Sequence, residues 1–103
     1  MDTERAANAM DALGAPVRLR VYRMLVRAGA DGMTIGRIQQ RTGIPRSTLS
    51  HHLHRLIGAG LVSSEKIGTS LICRADYRSM DDLVGFLSDE CCVEEGARED
   101  DVA

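Results

Sequence analysis

The chain has 103 residues, 44% of them hydrophobic and three of them aromatic, with a formal net charge of −2, enough for one domain with its own core and no need of a metal or disulfide to hold it. No apolar run approaches the ~20 residues of a membrane helix, the start M-D-T-E-R-A-A-N is neither a signal nor a transit peptide, and an odd count of three cysteines argues against a disulfide framework. The charge is segregated: residues 1–78 hold 12 Lys+Arg against 6 Asp+Glu, while residues 79–103 hold 1 against 9.

A basic body with an acidic end suggests a polyanionic partner for the body, and a cytoplasmic location is expected. Residues 4–13 are alanine-rich, with Ala6, Met10 and Leu13 at helical spacing. Gly14 stops this helix and Pro16 suits the first turn of the next. Leu19, Val21, Tyr22, Leu25 and Val26 then recur at helical steps until Gly29 and Gly32. Thr34 can cap a short third helix that ends at Gly43.

Ile44-Pro45 is an extended entry to a fourth helix, from Arg46 to Gly58 or Ala59, which Gly60 ends. Two short strands, roughly 61–66 and 70–75, are joined through Gly68-Thr69. A last helix follows Tyr77, with Ser79 as its cap and Met80, Leu83, Val84, Leu87 and Cys91 as its apolar stripe. The predicted class is mainly α with a small β-hairpin (α+β), in the order α-α-α-α-β-β-α. That is a winged helix-turn-helix over residues 1–92, followed by an acidic, frayed tail over 93–103.

On a wheel of about 100° per residue, Leu49, Leu53, Leu56 and Ile57 share one side of the fourth helix. Ser47, His51 and Arg55 lie opposite, flanked by Thr48 and His54, with Ser50 and His52 at the borders. An ordinary surface helix mixes Glu with Lys, and this face holds neither. Hydroxyls, imidazoles and a guanidinium without any acid suit a DNA major groove, where Arg pairs with guanine and hydroxyls bond phosphates or bases. Arg46 and Lys66 are placed to grip phosphates. The candidate DNA-binding set is therefore Arg46, Ser47, Thr48, Ser50, His51, His54, Arg55 and Lys66. His51 and His54 as metal ligands are the weaker alternative, because no Cys or carboxylate stands beside them.

The segments A-L-G-A-P-V-R-L-R-V-Y-R-M-L (12–25) and S-T-L-S-H-H-L-H-R-L-I-G-A-G-L-V (47–62), with the wing K-I-G-T-S-L-I-C-R, resemble the ArsR family of metal- and metalloid-responsive repressors. The resemblance covers roughly residues 6–92. It implies a homodimer joined by the first and last helices, the fourth helix reading double-stranded operator DNA as an inverted repeat, and release when an inducer binds. Two family features are absent. The segment T-I-G-R-I-Q-Q-R has no Cys-x-Cys, and the last helix, S-M-D-D-L-V-G-F-L-S-D-E-C-C, has no histidine.

Sulfur remains: Cys73 on the second strand and the adjacent pair Cys91-Cys92. Neighbouring residues of a regular helix point about 100° apart, so the pair can share one ion only if the helix end bends. A strand of about 16 Å followed by a helix of about 20 Å would bring Cys73 near the pair if the helix folds back, and a site shared between subunits is equally allowed. Three thiolates suit As(III) or Sb(III), two suffice for methylarsenite, and zinc would want a fourth ligand. One wing cysteine and a vicinal pair resemble the trivalent-arsenical-responsive branch of the family.

No cofactor is expected beyond the inducer. The acids Asp89, Glu90, Glu94 and Glu95 around the pair make thiolates rarer, which favours metalloid capture over oxidation. A thiol-redox or persulfide sensor of the same fold is the alternative. An enzyme such as an arsenate reductase is disfavoured, because these cysteines occupy a strand and a helix C-terminus, where the dipole opposes a thiolate. A module using the helix-turn-helix for protein contacts is the third reading.

Overall fold

Asp2 accepts a hydrogen bond from the amide of Arg5 at 2.8 Å and so starts the first helix, α1 (Thr3–Leu13). This computed structural model describes residues 1–96, so most of the expected acidic tail lies outside the described residues. The buried side of α1 is Ala6, Ala9 and Ala12, while Met10 is 49% exposed. Of the expected Ala6, Met10 and Leu13, Ala6 is buried and Leu13 packs against the core, so the correction is confined to Met10. Methyl side chains at three-residue spacing let α1 lie close to its neighbours, and the larger Met10 faces away.

Pro16 opens α2 (Pro16–Ala28), which buries Val21, Tyr22 and Leu25. A short 3-10 turn over Gly29–Asp31 leads to a two-residue strand, β1 (Met33–Thr34). The sequence reading missed β1, since two residues are too few to show alternation. Thr34 caps α3 (Ile35–Thr42), which ends at the left-handed Gly43. Then come α4 (Arg46–Gly58), β2 (Val62–Ile67) and β3 (Ser70–Ala75). The three strands form one antiparallel sheet in the order β1-β3-β2, with Met33 opposite Cys73 and Lys66 opposite Leu71.

The last helix, α5 (Tyr77–Ser88), begins two residues before the expected cap Ser79. Asp76 is the cap, its carboxylate accepting from the amide of Ser79 at 3.0 Å. The Tyr77 hydroxyl donates to the carbonyl of Val26 at 2.9 Å and ties this start to the end of α2. The helix also stops before Cys91. Of its expected stripe only Leu83 is buried; Val84 is 60% and Leu87 61% exposed.

The core is filled by Val21, Leu25, Ile38, Leu49, Leu56, Leu61 and Cys73, where helices α2 to α4 meet the sheet. Gly32 controls the entry to β1. Its φ is +67°, and a Cβ there would lie 2.5 Å from the carbonyl oxygen of Cys73. Gly32→Ala is expected to cost about 2–3 kcal/mol, from the left-handed backbone plus the overlap. Gly29→Ala has a similar φ of +73° but nothing within 4 Å, so only the backbone penalty remains, about 1–2 kcal/mol. Urea midpoints for the two variants measure the difference.

Candidate nucleic-acid interface and thiol site

Helix α4 is held by Leu49, Leu53 and Leu56, each at most 3% exposed, which face the core. Ser47, Thr48, His51 and His54 are exposed, and Ser50 is half-buried. No carboxylate belongs to this helix. Its first-turn amides have no side-chain cap, so the positive end of the helix dipole and the exposed Arg46 stand together. Lys66 is exposed on β2, near the hairpin tip. This geometry suits a helix seated in a groove with its start against the phosphates.

The structure adds residues that the sequence reading missed. A hollow of about 180 Å³ is lined by Thr34, Arg46, Thr69 and Ser70 among others, so the start of α4 and the tip of the hairpin open onto one recess. Thr69 and Ser70, which nothing in the sequence marks as site residues, thus line the same recess as Arg46. A second hollow of about 230 Å³ lies between α4 and the hairpin, with Ser50, His54, Ser64 and Cys73 among its lining residues.

One expected reader is not free. The Arg55 guanidinium donates to the Asp11 carboxylate at 2.6 Å and to the Asn8 side-chain oxygen at 3.1 Å. The partners lie 44 and 47 residues upstream, beyond any pattern within α4. His52, at the border of the face, is 3.5 Å from the Arg18 guanidinium. Its pKa is lowered, first by burial and then by the Arg18 charge and by His51. Among the described residues no three His, Cys, Asp or Glu side chains are grouped to hold a metal ion, so the histidines of α4 form no such site.

The three thiols are split. Cys73 is wholly buried on β3, and burial pushes its pKa up. Cys91 and Cys92 are exposed beyond α5. After Ser88 the chain turns, with the amide of Cys91 donating to the Ser88 carbonyl at 2.9 Å and the amide of Glu95 to the Cys92 carbonyl at 3.1 Å. Cys92 has a φ of +64°, and the two sulfurs lie 3.1 Å apart. The bend at the helix end therefore brings the pair together, while Cys73 is buried and the pair exposed, and among the described residues no third ligand is grouped with them. The Cys92 pKa is raised, first by its hydrogen bond with Cys91 and then by desolvation. Glu90, Glu94 and Glu95 line a hollow with Cys92.

Comparison with known proteins places this geometry. The helix-turn-helix domain family matches residues 13–65. An uncharacterized HTH-type transcriptional regulator of Methanocaldococcus jannaschii, MJ1325, is 38% identical over 66 residues, 64% of this chain and 72% of that protein. An ArsR-like transcriptional regulator from Rhodococcus superposes with a TM-score of 0.76 at 21% identity, over 96% of this chain and 90% of its own. The homodimeric winged helix-turn-helix DNA-binding domain of Mb0332 from Mycobacterium bovis, a possible ArsR-family regulator, gives a TM-score of 0.66 at 26% identity, over 89% and 84%. Among the described residues no helix is long and apolar enough to cross a membrane.

Proposed function

Because this chain belongs to the helix-turn-helix transcriptional regulators and has the ArsR-type winged fold, we propose that it is a repressor released from its operator by a trivalent arsenical. DNA is its partner as a member of that family. The observation that carries the arsenical reading is the exposed Cys91-Cys92 pair, with sulfurs 3.1 Å apart. Methylarsenite, as CH3As(OH)2, exchanges two As–OH bonds for two As–S bonds. Each thiol proton leaves with a hydroxide as water, and the methyl group fills the third valence of arsenic. Inorganic arsenite would keep a hydroxide or need a third sulfur, and Cys73 is buried elsewhere. The methylated species therefore suits the pair better.

The protein acts as a homodimer in this reading, as the relative from Mycobacterium bovis does. The apolar groups that this chain leaves exposed on α1 and α5, Met10, Val84, Phe86 and Leu87, supply the contact. Each subunit then presents one α4 to an inverted repeat, with Arg46 and Lys66 on phosphates and Ser47, Thr48, Ser50, His51 and His54 at or near the bases. Capture of the arsenical at the end of α5 changes how α5 meets its partner, and with it the spacing of the two reading helices. Coupling of this kind is typically ~1–3 kcal/mol, or about 5–150-fold in affinity.

Oxidation of the same pair is the second reading, favoured by the contact between the sulfurs. A peroxide or polysulfide would accept the two electrons as a disulfide forms and two protons leave. The raised pKa of Cys92 counts against it, because the thiolate is the nucleophile. The test is a fluorescence-anisotropy titration on the protein's own promoter region. Methylarsenite is expected to release the DNA under reducing conditions. Release by polysulfide or peroxide alone, reversed by dithiothreitol, overturns the arsenical reading.

A further inference from the structure

We propose that Arg55 is a positioning residue that latches the reading helix α4 to α1, rather than a reader of bases. The proposal rests on the DNA-binding role alone and is independent of which inducer is sensed. Three features converge on it. The alanine seam of Ala6, Ala9 and Ala12 brings α1 close to the body of the fold. Asn8 and Asp11, three residues apart and so on one side of α1, both accept from the same guanidinium nitrogen of Arg55, at 3.1 and 2.6 Å. Arg18 of α2 donates to the carbonyl of Ala12 at 2.6 Å and fixes the last turn of α1, so the latch closes onto an anchored helix.

Arg55 stands in the last turn of α4. The opposite end, at Arg46, has only the short connection from Gly43 to Pro45 before it. A tie at the far end of α4 sets the tilt of the whole helix against α1. Because α1 also packs on α5, the tilt of the reading face is linked through α1 to the helix that precedes the thiol pair. The guanidinium is thus already engaged by α1 and does not stand free on the outer face of α4.

The competing roles for Arg55 predict opposite signs. Asp11→Ala removes an acid near a DNA-binding face. If Arg55 reads DNA, the substitution frees it and tightens operator binding. If Arg55 is a latch, the same substitution loosens α4 and weakens binding. Operator affinity of Asp11→Ala, Arg55→Ala and the double variant is measured by anisotropy at several salt concentrations, with urea midpoints confirming that each is folded.

Each single variant is expected to bind about 3–10-fold more weakly, and the double variant no more weakly than Arg55→Ala. The slope of log affinity against log salt stays at the wild-type value in Arg55→Ala, because no phosphate contact is lost. Tighter binding by Asp11→Ala, or a slope reduced by about one in Arg55→Ala, makes Arg55 a DNA contact and overturns the proposal. Unchanged affinity in both single variants overturns it equally.

Discussion

Cys91→Ser/Cys92→Ser keeps wild-type operator affinity and loses release by methylarsenite altogether. Both side chains are exposed and lie beyond the last turn of α5, so serine in their place leaves the core and the α4 face untouched. The hydroxyls are hard, weakly acidic ligands and do not hold trivalent arsenic as thiols do. Wild-type protein is expected to lose about 5–150-fold in operator affinity on saturation, and the double variant none. Each single variant loses the chelate. The second As–S bond forms at an effective concentration in the millimolar range or above, so the inducer concentration needed rises steeply.

Cys73→Ser is expected to keep the response but to destabilise the fold by about 1–3 kcal/mol, because a hydroxyl replaces a wholly buried thiol. Loss of response in a folded Cys73→Ser protein would place Cys73 in the site. pH separates the two sulfur chemistries. The folded pKa of Cys92 is raised, first by its hydrogen bond with Cys91, so its thiolate is scarcer at a given pH than an ordinary thiol's. Capture of CH3As(OH)2 releases water and no net proton, and stays nearly flat between about pH 6 and 8. Oxidation needs the thiolate and accelerates as pH rises toward the thiol pKa.

The parts of the fold written in local signals were legible. Gly14, Gly43 and Gly60 mark helix ends, Pro45 marks the start of α4, and the leucine spacing of α4 assigned its inner side correctly. What the sequence hid depends on partners distant along the chain. Strand β1 exists because Met33 and Thr34 pair with β3, about forty residues later in the sequence. The burial of Ala9 and Ala12 instead of Met10 follows from how closely α1 approaches the body, which hydrophobic spacing does not encode.

The wheel places Arg55 opposite the leucine side of α4, and the buried side of the helix is indeed Leu49, Leu53 and Leu56. The wheel cannot show that Asn8 and Asp11 wait beside Arg55. The thiol pair is partly legible: adjacency shows that a bend is needed, and in the folded chain α5 ends at Ser88 and the backbone turns through a positive φ at Cys92. Cys73 was judged by chain length, which allows an approach to the pair but does not require one. The packing of β3 against the helices buries it instead.

His51→Glu is expected to weaken operator binding about 100-fold or more, since like charges brought together at an interface cost several kcal/mol. His51 is exposed on α4, one helical turn from Ser47 and next to His54 on the outer face. A carboxylate there meets phosphates and the acceptor edges of bases, and it has no hydrogen to donate. His51→Ala removes the imidazole without adding charge, and its cost is about 1–3 kcal/mol if the ring contacts a base. Neither change touches the buried leucines, so both proteins keep the wild-type urea midpoint. Ionic strength tells contact from mere proximity. A long-range charge effect fades as the Debye length falls from ~10 Å at 0.1 M to ~3 Å at 1 M, whereas a carboxylate wedged against a base edge remains there at any salt. If His51→Glu binds the promoter as tightly as the parent protein, α4 does not enter the groove. The thiol pair would then regulate some other contact.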